Sequence, residues 1–267
     1  MPQAFPKKAS HCGRLFYFAL WLLCLSPAAV AEEQCPPSHI DIRTSVSYVY
    51  DGDTVRLHSG DKVRLIGINT PEMARDKRPA EPLASEARQV LIKLLARHDQ
   101  QISLRYGQQQ RDRYGRLLAH AYTPQGESIS AHLLDAGLAS LIAIPPNLTG
   151  LDCYARAEQG ARRQQRGLWA LPIITDSASL SPHARGFTIV RGRVVRIGES
   201  RHNLWLNMDG GLALRIAKKD LRWFEQASPR GLAGKQVIAR GWIYARKGEQ
   251  RMQVHHPYAL ELMSDDY

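Results

Sequence analysis

The sequence predicts an α+β, mainly β chain: an OB-type five-stranded barrel with inserted and C-terminal helices, followed by a second small OB-like β-barrel domain. Three observations predict it. Five strand-like segments lie between residues 46 and 122, with an amphipathic helical segment after the third. A polar run of small residues, Thr175-Asp176-Ser177-Ala178-Ser179-Leu180-Ser181-Pro182, then interrupts the chain. A second β-rich stretch fills residues 184–264.

Val46, Tyr48 and Tyr50 alternate with polar neighbours, as a half-buried strand requires. Asp51-Gly52 breaks that strand, and Thr54-Val55-Arg56-Leu57-His58 resumes before the turn residues Ser59-Gly60-Asp61. Val63 to Ile68 reads as a third strand. Leu83, Ala87, Val90, Leu91, Leu94 and Leu95 fall at helical spacing. Strands over Ile102–Tyr106 and Leu117–Tyr122 flank an arginine-rich turn. A short helix over Ile129–Leu134 and a longer one over Leu151–Arg166, stopped by Gly167, complete the first half. Beyond the break, strands are expected over Phe187–Ile197, Asn203–Met208, Leu212–Ile216, Gln236–Tyr244 and Arg251–Leu260, with a short helix over Leu221–Gln226. The expected boundaries are a signal peptide over 1–31, a first domain over 32–172, a linker over 173–185 and an accessory barrel over 186–264.

The signal peptide is read from the basic Lys7, Lys8 and Arg14, the apolar run Leu15–Leu25, and the small residues Ala29-Val30-Ala31. That run is too short to span a bilayer, so cleavage after Ala31 and a periplasmic or secreted product without a membrane anchor are expected. Residues 1–31 hold three basic and no acidic residues, so the net charge of +11 falls to +8 in the mature chain. An excess of this sign favours a polyanionic partner. Cleavage leaves Cys35 and Cys153, which in an oxidising compartment read as one disulfide. The scattered histidines show no zinc-ligand spacing.

Three short stretches carry the chemistry: Asp51-Gly52-Asp53-Thr54, Arg64 to Glu72, and Asp112-Arg113-Tyr114-Gly115-Arg116. Together they supply an acidic edge for a hard cation, a carboxylate base and two guanidiniums, which are the groups that phosphodiester hydrolysis calls for. From about residue 46 to 169 the chain resembles the staphylococcal nuclease family. The resemblance rests on Asp51-Gly52-Asp53-Thr54-Val55, Val63-Arg64-Leu65, Thr70-Pro71-Glu72, Asp112-Arg113-Tyr114-Gly115-Arg116 and Gly167-Leu168-Trp169. It implies a Ca2+-dependent phosphodiesterase acting on DNA and RNA and leaving 3′-phosphate ends.

By that resemblance Asp53 ligates Ca2+, with Asp51 close by, Asn69 in a position where the family usually has aspartate, and Thr70 contributing its carbonyl. Asn69 removes one negative charge, which implies weaker cation affinity. Glu72 corresponds to the general base, and Arg64 and Arg116 to the phosphate-holding arginines. Arg113 and Tyr114 would meet the nucleic acid, although Tyr114 could equally pack on the barrel. Ser140-Leu141-Ile142-Ala143-Ile144-Pro145-Pro146 is aliphatic where the family often places base-stacking aromatics. Single-stranded or locally open nucleic acid is the expected substrate. In the second half, Trp205, Trp223, Phe224 and Trp242 lie among arginines and lysines, as either a nucleic-acid groove or a barrel core. The competing reading of the whole chain is a non-catalytic nucleic-acid-binding or envelope interaction protein.

Overall fold

The structure is a computed structural model describing residues 1–4, 35–76, 78–226 and 228–263. The expected leader beyond its first four residues, and its cleavage point, lie outside the described residues.

The first barrel begins with β1 (Ile42–Val49), β2 (Thr54–Leu57) and β3 (Lys62–Leu65). These are followed by β4 (Ile68–Asn69), α1 (Ala84–Ala96), β5 (Gln101–Arg111), β6 (Leu117–Tyr122), α2 (Ile129–Asp135), β7 (Ser140–Leu141) and α3 (Leu151–Arg163). β1, β2, β3, β6 and β5 close into a ring in that order. β3 and β6 are parallel and the other neighbours antiparallel. Alternation explains the interior: Val55, Leu57, Val63, Leu65, Ile102, Leu104, Ala119 and Ala121 are buried and packed in one cluster. Ala87, Leu91, Leu94 and Leu95 line the buried stripe of α1 against the same cluster, at the spacing of one helix face. Ser128 caps α2, its Oγ accepting from the Ala131 amide at 3.3 Å.

The expected third strand does not run on to Ile68. It ends at Leu65, and Gly67 takes φ +87°. A side chain there would also strike the buried ring of Tyr154, whose carbons lie 2.6 Å from an ideal Cβ. The chain therefore turns, and Ile68–Asn69 pairs with β7 instead of extending β3. The longer helix likewise ends at Arg163, three residues before the expected stop.

The second sheet comprises β8 (Ile174–Asp176), β9 (Gly186–Glu199), β10 (Asn203–Met208) and β11 (Ala213–Ala217), then β12 (Gln236–Arg246), β13 (Glu249–Val254) and β14 (Leu260–Leu262). β9, β10, β11, β13 and β12 close back onto β9, with β11 and β13 parallel. This is the strand order of the first barrel repeated, and the expected pair of OB-type barrels is what the chain adopts. Its own core includes Val190, Val194, Leu204, Leu206, Leu214, Ile216, Val237, Met252 and Val254. Three local expectations are corrected. Residues 173–185, read as a linker, contain β8, which adds to β9 in parallel register. The short helix is a 3-10 segment over Lys218–Phe224. The expected last strand is split, because Pro257 and its neighbours form a 3-10 turn between β13 and β14.

α3 joins the two barrels. Arg240 on β12 is 3 % exposed and donates from Nη1 to both Glu158 carboxylate oxygens at 2.8 Å. Arg162 holds Glu261 of β14 at 2.9 and 3.0 Å, and Arg240 Nη2 also meets Glu261. Tyr258 packs against the first core and donates to Asp152. The Cys35–Cys153 disulfide ties Cys35 to the same helix, α3.

Candidate active site

The β1–β2 turn, the β3–β4 bend and the β5–β6 turn meet around a cleft of about 850 Å3. Asp51, Asp53, Arg64, Asn69, Glu72, Arg113, Tyr114 and Arg116 all line it. Three stretches separated by up to sixty residues are thus gathered because β2 pairs with β3 and β3 pairs with β6.

Asp53 is the buried hub. Its Oδ2 accepts from the Thr70 amide at 2.8 Å and the Thr70 hydroxyl at 3.0 Å, and lies 3.1 Å from Arg64 Nη2. Its Oδ1 accepts from the Thr54 hydroxyl at 3.0 Å. Asp51 Oδ1 accepts from the Asp53 amide at 2.9 Å, which closes the Asp-Gly-Asp turn. Burial, followed by the negative charge of Asp53, pushes the Asp51 carboxyl up to about 7.

Arg64 is held inside this cluster. Nη1 donates to the carbonyls of Leu65 and Ile68 at 2.8 Å each, and Nη2 to Asn69 Oδ1 at 3.2 Å. The guanidinium therefore clamps the β3–β4 bend as well as facing the cleft. Thr70 is absent from the cleft wall. It reaches Asp53 through its amide and hydroxyl, while its carbonyl faces Asn69 Nδ2 at 3.4 Å.

Glu72 stands exposed just beyond Pro71, its amide donating to Glu81 Oε2 at 3.0 Å. Partial desolvation, then the charge of Asp53, raises its pKa. Arg116 is less encumbered than Arg64. Asp112 Oδ2 accepts from its Nε at 2.7 Å and Asp112 Oδ1 from its amide at 3.0 Å, leaving the terminal nitrogens without a protein partner among the described residues. Tyr114 is 68 % exposed, so it does not pack on the barrel. The guanidiniums of Arg113 and Arg116 lie 4.8 and 5.7 Å from its ring centre.

The cleft also contains Tyr50, Lys62, Arg75 and Asn147, which the sequence did not single out, together with Asp112 of the third stretch and Trp242. The role of Asp112 in orienting Arg116 was readable from its four-residue spacing. The arrival of Trp242, from β12 of the second barrel, was not. Asn147 bridges the 142–147 loop to β5, donating to the Gln109 carbonyl and accepting from its amide at 2.9 Å each.

Among the described residues no three His, Cys, Asp or Glu side chains converge as a metal-binding group. What the cluster offers is two carboxylates, one amide oxygen and the oxygens of Thr70, with no nitrogen or sulfur ligand. An all-oxygen set of this kind fits a hard cation such as Ca2+, and its low carboxylate count fits weak binding.

Residues 62–171 match the family model described as staphylococcal nuclease homologue. The thermonuclease of Staphylococcus intermedius is 32 % identical over 127 residues, covering 46 % of this chain and 74 % of that protein. The thermonuclease of Staphylococcus hyicus is 30 % identical over 125 residues, covering 46 % and 72 %. The endonuclease YncB of Bacillus subtilis is 29 % identical over 133 residues, covering 48 % and 62 %. Residues 62–171 run from β3 through α3 and carry Arg64, Asn69, Glu72, Arg113, Tyr114 and Arg116, with Asp51 and Asp53 just before them, and this chain belongs to the staphylococcal nuclease family.

Proposed function

We propose that the protein is an exported nuclease that hydrolyses phosphodiester bonds in DNA and RNA with the help of Ca2+, leaving 3′-phosphate ends. The observation that carries this reading is the convergence of Glu72, Arg64 and Arg116 with the Asp51–Asp53–Asn69 oxygen cluster in one cleft. Pure binding needs positive charge but not Glu72. Export is supported by the Cys35–Cys153 disulfide, which persists in an oxidising compartment.

In this reading Arg116 receives the phosphate, donating from terminal nitrogens while Asp112 fixes its orientation. Parallel N–H bonds to phosphate oxygens strengthen as charge accumulates on them in the transition state. Arg64 faces the same oxygens and keeps Asp53 and the β3–β4 bend in place. Glu72 accepts the proton of the attacking water. Asp51, Asp53 and Asn69 would hold Ca2+, with Thr70 fixing Asp53 through its amide and hydroxyl, and the ion would supply positive charge to a floor that otherwise repels the phosphate.

The test is incubation of the purified protein with denatured DNA, in calcium and in excess chelator, beside Glu72→Gln. Calcium-dependent degradation that the variant lacks, with oligonucleotide binding retained, is the expected result. Binding without cleavage over a range of divalent ions would replace the nuclease reading with that of a nucleic-acid-binding protein.

A further inference from the structure

The family match ends at residue 171, yet the second barrel contributes a residue to the cleft. On β12, Ala239, Gly241 and Ile243 are buried within the second barrel, so Arg240 and Trp242 project from the opposite face of the strand. Arg240 is locked onto Glu158 of α3, which directs that face toward the first barrel. Trp242, two residues on, reaches the cleft wall and remains 40 % exposed. Phe187, its cross-strand neighbour on β9, meets the indole edge-on at 5.2 Å and props it in place.

The other two aromatics of the cleft are already covered by cations. Lys62 lies 4.8 Å from the Tyr50 ring centre, and Arg113 and Arg116 sit over Tyr114. No such cation stands over Trp242 among the described residues. The 142–147 loop offers Ile142 and Ile144 to the same cleft and no aromatic plane. A propped, half-open indole beside a cluster of arginines matches one chemistry well: a planar nucleobase attached to a phosphate backbone.

We propose that Trp242 is a base-stacking residue of the substrate cleft. This rests on the nuclease reading for the position of the scissile phosphate. A single-stranded nucleic acid lies with that phosphate at Arg116 and stacks one neighbouring base on the Trp242 indole, so the C-terminal barrel is part of the substrate site. Paired bases are stacked within their duplex and are not free to use the indole, so the contribution is confined to single strands.

The test compares wild-type protein with Trp242→Phe, Trp242→Leu and Trp242→Ala. Each is titrated, in excess chelator to prevent cleavage, with a short labelled oligothymidylate, with the same strand carrying one abasic position, and with a duplex of equal length. Trp242→Ala is expected to weaken single-strand binding by about tenfold, the scale of one stacked base. Trp242→Leu should behave like Trp242→Ala, Trp242→Phe should recover most of the affinity, and duplex binding should be unchanged. One abasic position should weaken wild-type binding and leave Trp242→Ala unaffected. Under calcium, Trp242→Ala should raise KM and spare kcat. Equal single-strand affinity and KM in wild type and Trp242→Ala would overturn the proposal while leaving the nuclease intact. Trp242-dependent binding by a wild-type protein that never cleaves would uphold it and overturn the nuclease reading instead. Loss of single-strand and duplex binding alike would assign Trp242 to the packing of the barrels and also overturn it.

Discussion

The first barrel (β1 to β6) and the second (β9 to β13) follow the same strand order, with the third and fifth barrel strands parallel in both. They differ in what they bury. The turn after the first strand carries Asp51-Gly52-Asp53 in one and Ser200-Arg201-His202 in the other. In the first barrel the third strand breaks at Gly67 and sends Asn69 and Thr70 back beneath Asp53. In the second it runs into a 3-10 segment with no comparable bend. Asp53, Thr54, Asn69, Thr70, His120 and Glu158 are all buried in the first barrel and its helices, whereas among the described residues of the second half only Ser177, Asp220 and Arg240 are buried and polar. The same backbone plan thus supports a polar cluster in one case and an almost wholly apolar core in the other. The chemistry belongs to residues placed on the fold and not to the fold itself.

The strongest way to break this comparison is to cut the link between the barrels. Arg240→Ala removes the more buried of the two arginines paired with Glu158, leaving only the partly exposed Arg162 at 3.0 Å, and should destabilise the protein by about 3 kcal/mol. Urea unfolding would read the loss, and a single wild-type transition should separate toward two. Pairing the change with Glu158→Gln should recover part of the loss, since no buried charge is then stranded. Next in size is the chemical difference. Arg116→Ala should lower kcat on denatured DNA by about a hundredfold or more, with folding intact, because the side chain donates where transition-state charge accumulates. Full activity in that variant would remove the cleft from the reaction.

Replacing Cys35 and Cys153 together by serine opens a cross-link spanning 118 residues and should cost about 2–4 kcal/mol, measured as a lowered Tm. The smallest expected effect concerns His120, buried beside Tyr154, with Nδ1 3.0 Å from Tyr154 Oη. Burial, helped by the positive charge of Arg105, lowers its pKa from 6.5 to about 4. Its neutral form is therefore favoured by folding: the contribution is fully present above pH 6.5 and is lost as pH falls toward 4. From pH 7 to pH 5 the wild type should lose about 2 kcal/mol through this residue. A His120→Asn variant should lack that component, which denaturant midpoints at the two pH values would reveal.

Most strands were legible to within a few residues. Leu117–Tyr122 and Asn203–Met208 match the sequence reading at both ends, because apolar alternation and flanking turn residues are local signals. The third strand was overextended because Gly67 lies in an otherwise apolar run, and its obligation to turn comes from Tyr154, far along the chain. The polar stretch 173–185 looked like a linker because β8 is short and pairs only along one edge.

By itself the sequence determined the two barrels, the helix after the third strand, the disulfide partners, and the acidic and arginine blocks of the candidate site. Each depends on residue type and spacing over a few turns of chain. Only the tertiary structure decided that Arg64 clamps the β3–β4 bend, that Glu158 and Arg240 meet across 82 residues, and that Trp242 enters the cleft. The physical reason is the same for all three. Buried charge must find its partner wherever the packed barrels bring one, and strand alternation then carries the residue two positions away to the same face.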